Sequence, residues 1–475
     1  MSTPNPNVST TDPREILARS PMTAMQIMVV VITVALNALD GFDVLSISFA
    51  SPGIAAEWGI DRADLGLVLS MELIGMALGS IFLGGVADKF GRRPTILGCL
   101  VVMAVGMFMV TTSTAVLGSG LHAVLSLFMQ PADYRLLDLC IWRIITGLGI
   151  GGMLAAINAV AAEFSNAERK SLNISMMAIG YPIGAALGGF IVSANLSLEN
   201  WRTVFYFGTT VTALLIPVVY FLVPESVHWL TRKQPAGALE KINKTMAWMG
   251  HPRVAALPVI SDEQRKRSVG DIFAPALLAT TILVTAAYFL HITTFYYIIK
   301  WVPKILVDMG FAASAAGGVL SWLNVGGATG GAVVGLLSIR YGIKGITLTV
   351  LTLSTVAIIV FGNTPADLTT LTMICVFVGF CTNGAINGLY AIFAHVFPTH
   401  VRAFGTGFAV GVGRGGAVLA PILAGILFDA GLSLPVVSLT MSVGSAIAAV
   451  LLAVKLKSDH AAVEEGQLPP AAAAR

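Results

Sequence analysis

The sequence contains few charged residues for its length. Of its 475 residues only 11% are Asp, Glu, Lys or Arg, whereas 56% are hydrophobic. Soluble domains have about 25% charged residues, so this composition excludes an ordinary water-soluble protein. The net charge of +3 is close to balance and gives no basic excess of the kind that binds nucleic acid. The sequence therefore predicts an integral membrane protein, with the lipid bilayer rather than nucleic acid as its surroundings.

Cysteine is also scarce. The four cysteines, Cys99, Cys140, Cys375 and Cys381, fall in or beside apolar runs and lack metal-ligand spacing. This pattern excludes a disulfide framework and a zinc site, and it predicts buried thiols. The first apolar run is too long for a signal-peptide core and has no small-residue cleavage site after it, so we expect the amino terminus to be retained.

Long apolar runs are plentiful. A run of about 18 residues or more is long enough to cross a bilayer as a helix. The sequence predicts twelve such spans, at 24–46, 65–87, 95–116, 139–161, 171–193, 203–223, 275–299, 313–337, 345–362, 368–393, 404–428 and 434–455. The predicted fold class is an all-α integral membrane protein with twelve transmembrane helices in two six-helix halves.

Two similar loops support the division into halves. "GGVADKFGRR" follows the second span and "GLLSIRYGIK" follows the eighth, with a glycine and a basic-aromatic-glycine group at matching offsets. Such duplication is typical of transporters whose solute site lies between two repeats at mid-membrane. The predicted division is an amino-terminal tail (1–23), a first half (24–223), a linker (224–272), a second half (273–457) and a carboxyl-terminal tail (458–475).

The basic residues predict the orientation. Twenty-one of the 28 lysines and arginines fall on the side of the amino terminus, and five, including Lys300 and Lys304, are assigned to the opposite loops. Cytoplasmic loops carry the excess of Lys and Arg, so both termini, both tails and the linker are predicted to be cytoplasmic. The linker is expected to contain amphipathic helix, and its cluster Arg265–Arg267 to lie near anionic headgroups.

One outer connection, residues 117–138, is much longer than the others. Its segment Leu121–Met129 is apolar enough for a short interfacial helix that Pro131 would end. No function can be derived for this loop from its residues.

Two acids in the first span form the most informative pattern. A carboxylate near the centre of a membrane helix costs at least ~2.5–3.5 kcal/mol, so Asp40 and Asp43 need a compensating environment. At helical spacing Asn37, Asp40 and either Asp43 or Val44 lie on one face. We interpret this polar stripe as facing a water-filled cavity, where it handles protons or a charged solute. The alternative is that Asp43 is only an interfacial acid near the far headgroups.

Two arginines also fall within spans. Arginine stays protonated in practice, so in a membrane it needs an acid, carbonyl groups or an anionic ligand. Arg414 is flanked by glycines that permit close helix approach, and it is the first choice for holding a substrate carboxylate in a bidentate pair. Arg143 either pairs with an acid of the first span and couples protonation to movement, or lies at the outer surface.

Several motifs together resemble the major facilitator superfamily: "GGVADKFGRRP", "WRIITGLGIGG", "PESVHWL" and "FPTHVRAFGTG". "LDGFD" in the first span and "GYPIGAALGG" in the fifth resemble its aromatic acid:proton symporter branch, which takes up benzoates and related ring carboxylates. The resemblance covers about residues 23–457. It implies the major facilitator fold, a small aromatic carboxylate as substrate, protons as the coupling ion, no other cofactor, and a required arginine at Arg414.

The resemblance also implies a cytoplasmic gate after the second span. In this superfamily an acid and arginines at this loop latch the cytoplasmic ends of the two halves. The corresponding residues here are Gly84, Asp88, Gly91, Arg92 and Arg93. The alternative is that these charges only anchor the topology.

Recognition of an aromatic ring needs flat apolar walls and amide donors. The candidates lie in spans seven, eight and ten, and the alternative for each is a packing or interface role, which most aromatic residues of membrane helices have. They are Tyr288, His291, Phe295, Trp322, Asn324, Asn383 and Asn387, to which Asn37 of the first span is added. His291 titrates closest to neutrality and is a candidate second proton site, or else a hydrogen-bonded packing residue.

These observations predict a proton-coupled symporter that imports an aromatic carboxylate as a monomer in a bacterial inner membrane. An exporter of the same fold, or a carrier of another organic anion, a sugar or an organic cation, remains an alternative. An enzyme would need a cluster of catalytic side chains on facing helices, and the spans hold few ionisable groups for one. We therefore predict that the chain is not an enzyme.

Overall fold

The structure is a computed structural model that describes residues 8–9, 12–112, 134–258, 272–273, 275–397 and 402–464. Within these ranges twelve helices are long and apolar enough to cross a membrane, which confirms the predicted number. We number them α1–α12. Their bounds are α1 Ala24–Trp58, α2 Arg62–Phe90, α3 Arg92–Thr112, α4 Tyr134–Glu163, α5 Lys170–Ser193, α6 Arg202–Leu222, α7 Pro275–Asp308, α8 Ala313–Tyr341, α9 Ile343–Asn363, α10 Leu368–Val396, α11 Arg402–Asp429 and α12 Leu434–Glu464.

The largest differences from the predicted spans are at helix ends. The first span continues to Trp58 and includes Pro52, and the seventh continues to Asp308 and includes Pro303. Ser46, Ser48 and Ser51, which interrupt the apolar run of α1, are buried. Polar side chains are tolerated at membrane depth where protein rather than lipid surrounds them, so α1 continues beyond its apolar run.

Short elements precede and follow the first six spans. Helix Pro13–Arg19 is capped by Asp12, whose carboxylate accepts a hydrogen bond from the backbone N–H of Arg14 at 2.8 Å. In the linker, helix Val227–Lys233 is capped by Ser226. Helix Ala238–Trp248 buries one face. Val8–Ser9 pairs in parallel with Arg253–Val254.

The chain forms two compact units. The first contains α3 and α4, with parts of α1, α2, α5 and α6 and the linker helices. The second contains α7–α12 together with Leu45–Leu73 and Ala185–Val204, which are the remaining parts of α1, α2, α5 and α6. The helix ends in these two segments are predicted to face the periplasm, and we call them the outer ends.

Glycines set the closest helix contacts of the first unit. A Cβ on Gly41 of α1 would lie 1.9 Å from the carbonyl oxygen of Tyr181 in α5. A Cβ on Gly75 of α2 would lie 2.1 Å from the carbonyl oxygen of Ile144 in α4. Only glycine permits such backbone contact, so α1 packs on α5 and α2 packs on α4 at minimal separation.

The second unit repeats this arrangement. A Cβ on Gly330 of α8 would lie 2.1 Å from the carbonyl oxygen of Phe380 in α10, and a Cβ on Gly416 of α11 would lie 2.4 Å from that of Phe289 in α7. The pairs α8/α10 and α7/α11 hold the same places in the second set of six helices as α2/α4 and α1/α5 hold in the first. The internal repeat predicted from the loops is therefore also present in the helix packing.

Two predictions lie outside the described residues. The interfacial helix Leu121–Met129 falls in residues 113–133, and the basic cluster Arg265–Arg267 falls in residues 259–271. Both stay predictions.

Candidate functional site

The two acids of α1 lie in the middle of a long helix. Asp40 and Asp43 are 1% and 0% exposed. At 1.5 Å per residue, α1 continues for about 22 Å beyond Asp43 to its end at Trp58. Asp43 is therefore remote from both ends of the helix, and its side chain is enclosed by protein.

The polar stripe is attached to α5 on one side. The side-chain amide of Asn37 donates to the carbonyl of Met177 at 2.7 Å, and Asn37 is buried. One turn further along α1, the backbone of Gly41 packs against the carbonyl group of Tyr181 in α5. Asn37 thus holds α1 on α5, and the glycine of the "LDGFD" motif allows the two backbones to touch beside Asp40.

Arg143 of α4 lies beside Asp43. It is 0% exposed, which excludes the outer-surface alternative. Its Nη2 donates to the backbone carbonyl of Asp43 at 3.2 Å, and its guanidinium lies 5.5 Å from the ring centroid of Phe205 in α6. A fixed positive charge is therefore buried within one turn of both acids.

The carboxylates themselves face α3 and α6. A Cβ on Gly208 of α6 would lie 3.2 Å from Oδ1 of Asp43, so this glycine leaves room for the carboxylate. Asp40 interacts electrostatically with Cys99 of α3. The arrangement concentrates two acids and one arginine in the interior of the first unit. Their role in binding protons stays a prediction.

In the second unit Arg414 lies beside an aromatic pair. A Cβ on the adjacent Gly413 would lie 2.1 Å from Cδ1 of Tyr288, so this ring packs directly on the α11 backbone. The hydroxyls of Tyr288 and Tyr390 are 2.9 Å apart. Arg414 is half-buried, and it interacts electrostatically with Tyr288. Its guanidinium and the two phenols form a group that could bind an aromatic anion.

Three other candidates are engaged in packing. His291 is 0% exposed, with Nδ1 2.8 Å from Ser445 Oγ and Nε2 3.0 Å from the carbonyl of Thr382. Asn324 donates to Leu320 within its own helix at 2.9 Å. Phe295 is buried edge-on to the neighbouring Tyr296 ring. For His291 this geometry favours the packing alternative, because both ring nitrogens are hydrogen-bonded inside the bundle.

The remaining candidates lie on α8 and α10. Asn383 is half-buried and Asn387 is exposed, and their side-chain amides lie against Gly327 and Gly331 of α8. Trp322 is 47% exposed and packs edge-on to Phe190, with ring centroids 5.3 Å apart. Their role in binding a ring stays a prediction.

The proposed gate residues form one ion-pair network. Arg92 donates to Asp88 at 2.7 Å and to Glu163 of α4 at 3.1 Å, and its backbone N–H donates to Glu225 at 2.9 Å. Gly91 has a φ of +114°, and a Cβ there would lie 2.2 Å from a Glu225 carboxylate oxygen. Two independent reasons therefore require glycine at this turn.

Other contacts extend the network to the linker. The Trp229 indole donates to the carbonyl of Asp88 at 3.0 Å, and Arg93 donates to the carbonyl of Tyr220 while stacking on its ring at 5.0 Å. Gly84 lies half-buried one turn before Asp88. These partners all belong to the first unit, so the contacts seen here hold α2, α3, α4 and the linker together. A latch between the two halves stays a prediction.

Two charged residues were missed by the sequence interpretation. Lys300, assigned above to an outer loop, is 0% exposed inside α7, and that assignment is wrong. Its Nζ lies 3.6 Å from a carboxylate oxygen of Glu72 in α2, which is also 0% exposed. Glu72 could have been identified from the sequence, because it is an acid inside the apolar run "LGLVLSMELIGM". Tyr390, the hydroxyl partner of Tyr288, was also missed.

Comparison with known proteins gives consistent results at the levels of family, relatives and fold. The sequence profile of the Major Facilitator Superfamily matches residues 33–361 and 284–473. The chain is 28% identical to the 4-hydroxybenzoate transporter PcaK of Pseudomonas putida, covering 95% of this chain and 97% of that one. It is 26% identical to the gallate transporter of the same species, covering 89% and 90%.

Among solved structures, the xylose transporter XylE from E. coli in a partially occluded inward-open conformation matches with a TM-score of 0.65 at 16% identity. The match covers 90% of this chain and 99% of that one, and at this identity it shows the fold alone. The two relatives are transporters rather than enzymes, as predicted. The chain belongs to the Major Facilitator Superfamily and is a multi-pass membrane transporter of that family.

Proposed function

We propose that this protein is a proton-coupled symporter that imports an aromatic carboxylate, such as a hydroxybenzoate, across a bacterial inner membrane. It works as a monomer by alternating access. The observation that carries the proposal is the burial of Asp40 and Asp43 at the middle of α1, with Arg143 donating to the backbone of Asp43. The relatives named for 4-hydroxybenzoate and gallate support the choice of substrate class.

Protons enter the cycle at the acids of α1. An ionised carboxylate at this depth costs at least ~2.5–3.5 kcal/mol, and binding a proton removes that cost. The Arg143 guanidinium offsets part of the cost when an acid is ionised. Asp40 and Asp43 therefore exchange protons when water reaches them, and they are neutral when the site around them closes.

The substrate carboxylate binds to Arg414. A planar guanidinium can form two parallel hydrogen bonds with a carboxylate, which fixes the orientation of the anion. The rings of Tyr288 and Tyr390, in contact through their hydroxyls, supply a flat wall for the aromatic ring of the substrate. In this proposal the amides of Asn383 and Asn387 are the groups that bind ring hydroxyls.

Coupling follows from the cost of closing a dry site around charge. When Arg414 neutralises the substrate anion and a proton neutralises an acid of α1, the site can close around them. An unpaired Arg414 or an ionised acid opposes closure of the site, because its charge would have to lose its hydration. Import of one proton with one monoanion is electroneutral, and the pH gradient drives it. Each pH unit then supports about tenfold accumulation, because one pH unit corresponds to about 1.36 kcal/mol.

A thermal-shift screen of the purified protein tests the substrate class. A ligand that binds only the folded state at 100 times its Kd stabilises that state by about 2.7 kcal/mol. We expect 4-hydroxybenzoate or another benzoate to raise the Tm, and xylose and a quaternary ammonium ion to leave it unchanged. A shift with xylose or the cation, and none with any aromatic acid, would contradict the proposal.

The same screen tests Arg414. Arg414→Lys should abolish the shift with aromatic acids, because a point charge does not replace the planar fork. Arg340→Lys is the matched control, since Arg340 is an exposed arginine at the end of α8. An unchanged affinity in Arg414→Lys would remove this residue from the substrate site.

A further inference from the structure

A fully buried ion pair joins α2 to α7. The Nζ atom of Lys300 and a carboxylate oxygen of Glu72 are 3.6 Å apart, and both side chains are 0% exposed. At 1.5 Å per residue, Glu72 lies about 15 Å from the beginning of α2 and Lys300 about 12 Å from the end of α7. The pair is therefore inside the membrane-spanning part of both helices.

Such a pair is expensive to bury and is weak evidence for stability alone. The loss of hydration of two buried charges can exceed their mutual attraction, and apolar residues of similar volume often serve as well or better. Removing one partner is much worse, because the other charge is left buried without compensation. Ionisable residues within spans are by default functional, so the pair needs a role beyond packing.

The pair lies within a contact that closes the outer ends of several helices. The Ser70 hydroxyl of α2 donates to the carbonyl of Val418 in α11 at 2.8 Å. At the outer tip of α2, Arg62 pairs with Asp308 of α7 at 3.1 Å. The outer part of α2 thus contacts both α7 and α11, and the Glu72–Lys300 pair is fully buried within this region.

The outer part of α5 is in contact with α8 in a similar way. A Cβ on Gly189 of α5 would lie 2.4 Å from the hydroxyl oxygen of Ser321, and Ser321 is 0% exposed. Because Ser321 is fully buried against α5, separation of α5 from α8 would expose it. Ser321 is therefore a suitable reporter of outer closure.

We propose that the Glu72–Lys300 pair is a proton-controlled lock on the outer ends of the helices. With Glu72 ionised, the pair holds α2 against α7 and the outer side is closed. Protonation of Glu72 leaves the Lys300 ammonium buried without its counter-charge. Separation of the helices then admits water to the lysine, so a proton from the outside favours the outward-open state.

Other charged groups on the packed helices have identified contacts or lie further away. On α7 these are Lys304 and Asp308, which pair with each other, while Asp308 also pairs with Arg62. On α11 they are Arg402 at its beginning, Arg414, one turn before Val418, and Asp429 at its end. On α2 they are Arg62 and Asp64 near its beginning and Asp88 and Lys89 near its end. Glu72 is thus the acid, and Lys300 the facing cation, at this depth of the contact.

This inference extends the proposed function by adding a proton step at the outer side, and its test uses no substrate. Ser321→Cys is introduced as a reporter, and its alkylation by N-ethylmaleimide from the outside is measured between pH 5 and pH 8. Each rate is divided by that of Ser197→Cys, an exposed outer position, which removes the intrinsic pH dependence of the thiol. A failed aromatic-acid screen would leave this measurement unaffected.

In the otherwise unmodified chain we expect the normalised rate to rise as the pH falls. Glu72→Gln mimics the protonated acid and should react at least ~10-fold faster at pH 8, with little dependence on pH, because the Glu72 counter-charge to Lys300 is gone. The double variant Glu72→Gln/Lys300→Met removes both charges, so it should react slowly at every pH. Arg62→Gln is the control: it removes the other ion pair between α2 and α7, which is partly exposed and so contributes little, and its rates should follow those of the unmodified chain.

A rate in the unmodified chain that does not depend on pH would overturn the proposal. So would equal rates in Glu72→Gln and in the double variant, since the lysine charge would then have no effect. If Glu72→Gln does not fold, the comparison of the unmodified chain with the double variant still decides the matter. The normalised alkylation rates of those two chains must differ at pH 5 and agree at pH 8.

Discussion

Gly41 provides a sharp test of how α1 is positioned. It lies between Asp40 and Phe42, and a Cβ at this position would be 1.9 Å from the carbonyl oxygen of Tyr181 in α5. Gly41→Ala leaves both carboxylates and their local sequence intact. It changes only the distance at which α5 can approach the helix that carries them.

The size of the effect follows from that distance. Ordinary contacts of a Cβ begin at about 3.4 Å, so α5 must move away from α1 by more than ~1 Å in a tightly packed bundle. Overpacking of this kind costs ~1–3 kcal/mol and sometimes more, and here the obstacle is backbone rather than a flexible side chain. A displacement of about 1 Å at a reacting group can cost ~100-fold in rate.

The assay compares Gly41→Ala with Gly98→Ala of α3, where a Cβ would meet nothing within 4 Å. Alanine is the better helix former by ~1 kcal/mol, so the control should be neutral or slightly stabilised. We expect a lower Tm and at least ~10-fold slower pH-driven uptake of the aromatic acid in Gly41→Ala only. Wild-type Tm and uptake in Gly41→Ala would refute the packing of α1 on α5 described here.

Three further predictions concern single side chains. Arg92→Gln breaks the pairs with Asp88 and Glu163 and should lower the free energy of unfolding by ~1–3 kcal/mol. Thermal unfolding measures the effect, and Arg340→Gln is the control because it leaves this ion-pair network intact. Burial raises the pKa of the Glu225 carboxyl above its ordinary value, so its ionisation costs stability as the pH rises through the folded-state pKa. Glu225→Gln still accepts hydrogen bonds, so it should have a higher Tm than the unmodified chain at pH 7. This difference in Tm should vanish at low pH. A difference in Tm that grows as the pH falls would contradict the prediction. Tyr288→Phe should weaken aromatic-acid binding several-fold, and it should lower the free energy of unfolding by no more than the ~0.5–1.5 kcal/mol of its hydrogen bond to Tyr390. Unchanged affinity in a thermal-shift titration would exclude its hydroxyl from the site.

The number and type of helices could be predicted from the sequence because bilayer thickness fixes the length of an apolar span. Helix ends were less predictable. The run of α1 is interrupted by serines and Pro52, which normally mark the end of a span. The helix continues because its outer part is buried in protein, and that burial depends on contacts with residues far away in the chain.

The candidate site was predictable where a residue was unusual for its surroundings. Asp40, Asp43, Arg143 and Arg414 are charges in apolar runs, and the cost of burying them indicates function from the sequence alone. Asp43 and Arg143 are shown to be adjacent only by the structure, because they lie on different helices.

Lys300 was misassigned for a related reason. The positive-inside rule assigns a lysine near the end of an apolar run to a loop in water. It takes no account of an acid on another helix that could pair with the lysine inside the membrane. Glu72, 0% exposed and 3.6 Å away, is that partner. Tyr390 was missed because its hydroxyl contact with Tyr288 depends on the packing of α10 against α7.

The central claim is that the buried acids of α1 carry the protons that drive uptake, and one flux measurement tests it most directly. Purified protein is reconstituted into liposomes that contain a pH dye, and entry of labelled 4-hydroxybenzoate and of protons is recorded under an imposed pH gradient. The account predicts that both enter together in the unmodified chain, and that Asp40→Asn and Asp43→Asn each abolish accumulation. Accumulation at the unmodified rate in both variants, still accompanied by proton entry, would contradict it.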